Sequence, residues 1–245
     1  MFLINIHWLE QRDADVPPED DWLSPKELVR LAGLRFPKRL ADWRLGRWTA
    51  KRAIAAYLRA SQDRALSAIE IRSAASGAPE IFLADKPADV SISISHRQGI
   101  AMCAVGPASS ALGCDLEMIE PRSDAFVCDY FTHEEQAAID NIATEEDRQR
   151  AIALVWSAKE STLKAMTVGL RVDTRSVSVT YEDRNIAGVE WKPLQVRGSD
   201  GLFFEGWWQQ SGTLVRTLVA TQKSRAPIRL ECPPSCSSEE LQLYG

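Results

Sequence analysis

The chain has 245 residues, 45% hydrophobic and 26% charged, with a net charge of −5 and a pI near 5.4, enough for one large domain or two modest ones. That acidic balance speaks against a general nucleic-acid binder, although local basic clusters can still hold phosphate. No apolar run approaches the ~20 residues of a membrane span, and the start MFLINIHWLE meets an acid too early for a signal peptide, so a cytoplasmic protein is expected.

Five cysteines, Cys103, Cys114, Cys128, Cys232 and Cys236, lack CxxC spacing and accompany only three histidines, which indicates neither a disulfide framework nor a zinc site. Leu3 to Leu9 is predicted as a strand, and Glu10 to Asp21 as a surface loop. Ser24 reads as an N-cap with Pro25 at the first helical position, and that helix is expected to stop near Gly33. From Phe36, FPKRLADWRLGRWTAKRAIAAYLRA reads as one long amphipathic helix. Its Arg44, Arg47 and Lys51 form a basic strip that is either a phosphate site or a solvated face. Ile69 to Arg72 reads as a strand and Ser76 to Pro79 as a turn. VSISISHRQGIAMCAVG then reads as a hairpin turning at Gly99. Ser95 and His96 close its first strand, where a side chain can reach an active site.

LGCDLE, Leu112 to Glu117, is an apolar run broken by acids at alternate positions. On a strand Asp115 and Glu117 share one face, where each raises the other's pKa unless a cation lies between them. Thr132 is predicted to cap a helix with Glu135 at its third position, a capping box. Glu135 thus has a structural explanation and ranks second as a catalytic candidate.

The next helix is predicted from about Asp147 to a C-cap at Gly169 and carries VWSAKESTLKAM, Val155 to Met166. Val155, Trp156, Leu163 and Met166 fall on one apolar arc, and Leu154, Ala158 and Ala165 on another. Glu160 and Lys164 stand one turn apart between the arcs, and Lys159 projects from within the first. Charges so placed need internal partners or a ligand. Asp115, Glu117 and Glu160, with only oxygen donors on offer, suit a hard ion that keeps several waters, Mg²⁺ before Zn²⁺. SVSVTYEDRNIAGVEW, LFFEGWWQQ and TLVRTLVAT read as three further strands, and 224–245 as a loose tail. The order of elements predicts an α+β fold of two similar lobes, 1–108 and 109–223, each a long helix packed on a small antiparallel sheet. No residue-level repeat is evident, so the duplication rests on element order.

Four segments, Ser95-His96, LGCDLE, FTHEE (Phe131 to Glu135) and WSAKESTLKA (Trp156 to Ala165), stand in the order and spacing of the 4′-phosphopantetheinyl transferases. From Phe36 to Thr221 the chain resembles the larger, two-lobed type that activates fatty-acid, polyketide and nonribosomal-peptide carrier proteins. The resemblance implies a monomer with coenzyme A and Mg²⁺ in a cleft between the lobes. By it, Asp115, Glu117 and Glu160 match the metal-binding acids, and Lys164 and His96 match contacts to the pyrophosphate. Arg47 and Lys51 match a basic helix near the 3′-phosphate, with Arg39 or Arg44 sharing the task, and Ser95 contacts the nucleotide. The family's Gly-Lys-Pro turn reads Gly77-Ala78-Pro79 here, without its lysine. The reaction implied is transfer of 4′-phosphopantetheine to a serine of an apo acyl or peptidyl carrier protein, releasing 3′,5′-ADP. Glu160 is the first choice of base, with Glu135 or a metal-bound water behind it. The alternatives are a Mg²⁺-dependent phosphodiester hydrolase using water, and a coenzyme A-binding module without turnover.

Overall fold

The computed structural model of the chain describes residues 3–58, 65–168, 171–183 and 190–231. Its first half runs β1 (His7–Arg12), α1 (Pro25–Ala32), α2 (Pro37–Tyr57), β2 (Ile69–Ser73), β3 (Pro79–Leu83), β4 (Lys86–Pro87), β5 (Val90–Arg97) and β6 (Ile100–Pro107). The second runs β7 (Leu112–Met118), α3 (Asp124–Tyr130), α4 (His133–Asp140), α5 (Glu145–Ala165), β8 (Val177–Tyr181), β9 (Lys192–Gly198), β10 (Phe203–Ser211), β11 (Leu214–Ala220) and β12 (Ile228–Arg229). The strands form sheets in the orders β12-β1-β6-β5, β7-β11-β10-β9-β8 and β2-β3-β4. Every pairing is antiparallel except β12 beside β1. The expected α+β class holds.

Four layers result. On one outer side α2 lays Ala50, Ala53 and Ile54 against Leu9, Ile92 and Val105 of the first sheet. On the other, α5 packs Ile152, Leu154 and Ala158 against Val196, Phe204 and Val219. Between the sheets, Ile6, Trp8 and Met102 meet Leu116, Leu214 and Leu218. Strands covered on both faces read as continuous apolar runs, which is why β6 and β11 show little alternation. The one cation in the β11 run, Arg216, is held by Glu10 of β1 through two hydrogen bonds of 2.6 and 2.9 Å, a paired charge tying the halves together.

The duplication is a matter of residues as well as layout. α1, α2 and β2 recur as α4, α5 and β8 with every boundary 108 positions later. Ser24 and Glu27 form a capping box on α1, as Thr132 and Glu135 do on α4. Glu27 also accepts from the Ile71 amide and Glu135 from the Val179 amide. Lys51 reaches Glu27 at 2.5 Å, and Lys159 reaches Glu135 at 2.8 Å. Each lysine is 0% exposed and donates further to backbone carbonyls, of Trp22 and Leu66 in one half and of Thr174 and Val177 in the other. Burial of that kind is tolerable only because every donor is matched. The signal lies in the sequence as Trp48-Thr49-Ala50-Lys51 against Trp156-Ser157-Ala158-Lys159.

Four elements depart from expectation. β1 begins at His7 rather than Leu3 and runs to Arg12, into the predicted loop, because its last residues pair with β6. Lys192–Gly198 is a fifth strand of the second sheet, hidden because Pro193 and two charges break its pattern. Residues 224–231 are not a loose tail: Ser224 bridges to Ile4, and β12 pairs with β1. Cys232 and Cys236 lie outside the described residues. Finally, α5 ends at Ala165, short of the predicted cap at Gly169, which is likewise outside the described residues.

Candidate active site

β7 sends Asp115 and Glu117 toward α5, as the period of a strand requires, and both are buried, at 5% and 8% exposure. The helix can come this close because position 113 is glycine. A Cβ there would collide with the Ser161 carbonyl and the Ala165 amide. Lys164 Nζ therefore reaches Asp115 Oδ1 at 2.7 Å and the Cys114 carbonyl at 3.1 Å. Ser95 Oγ donates to the same Oδ1 at 2.8 Å, so β5 of the first half and α5 of the second meet on one oxygen. Asp115 Oδ2 is buried without a hydrogen-bond partner.

Glu117 is tied on both oxygens, by Trp156 Nε1 at 3.1 Å and Arg122 Nη2 at 3.2 Å. Burial and then Asp115 hold its carboxyl above the ordinary carboxylate range, against the opposing pull of Arg97 and Arg122. Glu160 makes no hydrogen bond or ion pair among the described residues, and it too is raised, by burial first and Asp115 second. Burial alone would lower the Lys164 ammonium, but Asp115, by its charge and its hydrogen bond, together with Cys114 and lastly Glu160, outweighs it and the group sits above its usual value. It therefore stays charged at neutral pH.

Lys164 also lines a cleft of about 480 Å³ between the halves, with Arg47, Ser73, Gly77, Ser93, Leu112 and Thr167. The cleft occupies the place where the first half's sheet is broken: β2-β3-β4 stands apart from β5, whereas β8, β9 and β10 are continuous. Past Arg47 it adjoins a pocket of about 590 Å³ holding Lys26, Arg30, Trp43 and Arg72. Lys26 and Arg72 are neutralised by Glu70 and Asp85. Among the described residues Arg30 has no ion pair, and Arg47 has only a long one, 3.9 Å to Glu27, which Lys51 also holds at 2.5 Å; Arg47 is pushed down by burial first, with the like charge of Arg30 adding to this against the opposing field of Glu27. Arg47 Nε is buried with no acceptor. Two guanidiniums side by side at a pocket mouth have donors with which to receive an anion.

The repeat sharpens the point. The matching pocket in the second half, about 280 Å³, presents Glu134, Ala138, Val155 and Thr180 where the first presents Lys26, Arg30, Arg47 and Arg72. Positive charge stands in one copy only.

Residues 111–201 match the family model of the 4′-phosphopantetheinyl transferase superfamily. Over that segment the chain is similar to the superfamily. No curated protein matches it. Among solved structures, a holo-ACP-synthase from Plasmodium yoelii is similar at 20% identity, over 43% of this chain and 94% of that chain, with a TM-score of 0.34. Of the residues marked by the phosphopantetheinyl transferase resemblance, Asp115, Glu117, Glu135, Glu160 and Lys164 lie inside the matched segment. Ser95, His96, Arg39, Arg44, Arg47 and Lys51 lie outside it. No described helix is long and apolar enough to cross a membrane.

Four of the expected roles need correction. Lys51 is sealed in the core with its donors spent on Glu27, Trp22 and Leu66, so it cannot meet a phosphate. Arg44 is spent on the Asp20 carboxylate and the carbonyls of Pro17, Pro18 and Glu19. Glu135, 5% exposed, has both oxygens taken by Thr132, Val179 and Lys159, which removes it as a base. Ser95 holds Asp115 in place and does not line the cleft. His96 and Arg39 share a neighbouring depression with Trp43. Arg30 was missed, and comparing the halves at Arg30 and Ala138 would have found it.

Among the described residues no three acidic, histidine or cysteine side chains form a ready-made metal cage. The donor set nevertheless fits a hard, partly hydrated ion. Asp115 Oδ2 is orphaned, Glu160 is unpartnered, and a carboxylate such as Glu117 keeps lone pairs beyond its two hydrogen bonds. The raised carboxyls set the sign of a pH effect. A carboxyl whose pKa is raised on folding contributes stability below its ordinary value of 4.5, and that contribution is lost as pH rises through the shifted value. A cation relieves the repulsion only once the acids are ionised. Added Mg²⁺ is therefore expected to raise the melting temperature more at pH 8 than at pH 5. Equal shifts at both pH values would dissociate these carboxyls from metal binding.

Proposed function

We propose that the chain transfers 4′-phosphopantetheine from coenzyme A to a serine of an apo acyl or peptidyl carrier protein, releasing 3′,5′-ADP, as a two-lobed member of that superfamily. One observation carries this reading: Lys164, paired to an acid of the matched segment, opens onto a cleft that Arg47 also lines, and the adjoining pocket sets Arg30 beside Arg47, whose one ion pair, to Glu27, is long at 3.9 Å. A ligand with a pyrophosphate at one end of an adenosine and a phosphate at the other suits that spacing of charge. Arg30 and Arg47 would take the 3′-phosphate, and Lys164 the pyrophosphate.

Asp115, Glu160 and Glu117 would hold a Mg²⁺ ion, which when bound supplies charge neutralisation for the pyrophosphate. The chain's own residues do the rest. Lys164 supplies a fixed positive charge where negative charge gathers on the departing 3′,5′-ADP. Ser95 and Lys164 orient Asp115. Glu160 takes the proton from the carrier serine as its oxygen attacks the β-phosphorus. Its raised carboxyl and lack of a partner suit it to that role.

The test is incubation with coenzyme A, Mg²⁺ and a panel of apo carrier proteins, with products weighed by mass spectrometry. Gain of one phosphopantetheine on a carrier supports transfer. Release of 3′,5′-ADP with no carrier present would instead indicate a phosphodiester hydrolase, and tight coenzyme A binding without turnover a silent module. Arg47→Ala is expected to weaken coenzyme A by about 10–100-fold, a charge-assisted hydrogen bond, and dephospho-coenzyme A far less. Equal losses for the two ligands would assign Arg47 elsewhere.

A further inference from the structure

Thr167 lies at φ +58, in the left-handed region that a β-branched residue avoids. The other left-handed non-glycine residues among those described, Ala84, Asp85 and Gln98, sit in turns between strands. Thr167 instead follows α5 and lines the cleft beside Lys164.

The backbone conformation has a cause. The Val168 amide donates to the Leu163 carbonyl at 3.2 Å and the Thr167 amide to the Lys164 carbonyl at 3.0 Å. This pair of bonds closes a helix through a left-handed residue, the position glycine usually fills. The cause explains the left-handed turn but not the threonine. Glycine would close the helix without the clash, so what the threonine adds there is its side chain. That side chain is exposed, and its hydroxyl makes no hydrogen bond among the described residues. It stands three residues beyond Lys164, at a helix C-terminus whose carbonyls disfavour an anion. A hydroxyl donor in that position counters them.

We infer that Thr167 is a ligand-binding residue of the cleft, its Oγ1 donating a hydrogen bond to a phosphate oxygen of the bound pyrophosphate beside Lys164. The inference rests on the coenzyme A reading given above. Strain is kept where a ligand uses it, and the expected signature is a trade between stability and affinity.

Three variants separate the terms, each read by calorimetric titration with coenzyme A and by thermal melting. Thr167→Val keeps the branched shape and the strain but loses the donor, so coenzyme A is expected to bind about tenfold more weakly with little change in melting temperature. Thr167→Gly is expected to lose the same affinity while melting about 2–4 °C higher. Thr167→Ser retains the donor and is expected to bind as wild type does. Thr167→Val binding coenzyme A within twofold of wild type would overturn the inference while leaving the coenzyme A reading intact. Wild-type protein failing to bind coenzyme A at all would remove both.

Discussion

Asp115→Asn and Glu160→Gln are each expected to lower phosphopantetheinyl transfer by at least about 10²–10³-fold, the loss typical when one element of charge stabilisation is removed from a closed site, while the circular dichroism spectrum is unchanged. The two act for different reasons. Asp115 is the hub on which Ser95 and Lys164 converge, and asparagine can still accept from both, so the fold survives. What disappears is the charge that keeps Lys164 protonated and the orphaned oxygen open to a cation. Glu160 has no partner to lose, and its charge is held in an unfavourable place by burial and Asp115. Glu160→Gln should therefore melt no lower than wild type at pH 8 without Mg²⁺, and also lose most of the Mg²⁺-induced gain. A site acid is expected to cost the fold something. Transfer from labelled coenzyme A at the wild-type rate, in either variant, would take that residue out of the chemistry.

How the site could be read beforehand depends on what each residue answers to. Asp115, Glu117, Glu160 and Lys164 were legible because strand and helix periods put charges where apolar residues belong, and only a partner or ligand resolves that. The same logic flagged Lys159, whose partner turned out to be Glu135, an acid already explained by its capping box. Lys51 was misjudged because a buried lysine and an exposed one look alike when their helix has a weak apolar stripe. α2 is crowded with charges, and only its match to Lys159, 108 positions on, exposes the fully buried role. Arg44 and Ser95 could not be assigned from spacing at all. Their partners, Asp20 with the carbonyls before it and Asp115, come from other elements brought in by the fold. The interrupted first sheet that makes room for the cleft is also a tertiary feature, since β2 and β3 have ordinary strand sequences.

Gly113→Ala tests whether the approach of α5 to β7 governs the chemistry. The added Cβ would meet the carbonyl of Ser161 and the amide of Ala165, both backbone, so no side chain can swing aside and the helix itself must move. Overpacking of this kind costs about 1–3 kcal/mol, roughly 2–4 °C per kcal/mol in a chain of this size. The larger effect falls on transfer, because Glu160 and Lys164 ride on the displaced helix and a misplacement of ~1 Å can cost about 10²-fold. Gly46→Ala supplies the contrast. Its Cβ would stand 3.6 Å from Ile94 Cγ2, an ordinary contact in the middle of α2, where alanine favours helix by about 1 kcal/mol. The pair is thus expected to split: Gly113→Ala melts lower and loses transfer, and Gly46→Ala melts no lower and keeps it. Normal transfer by Gly113→Ala would mean that Lys164 and Glu160 need not sit this close to Asp115, and the charge cluster would then have to be read as a fastening between the second sheet and its helix.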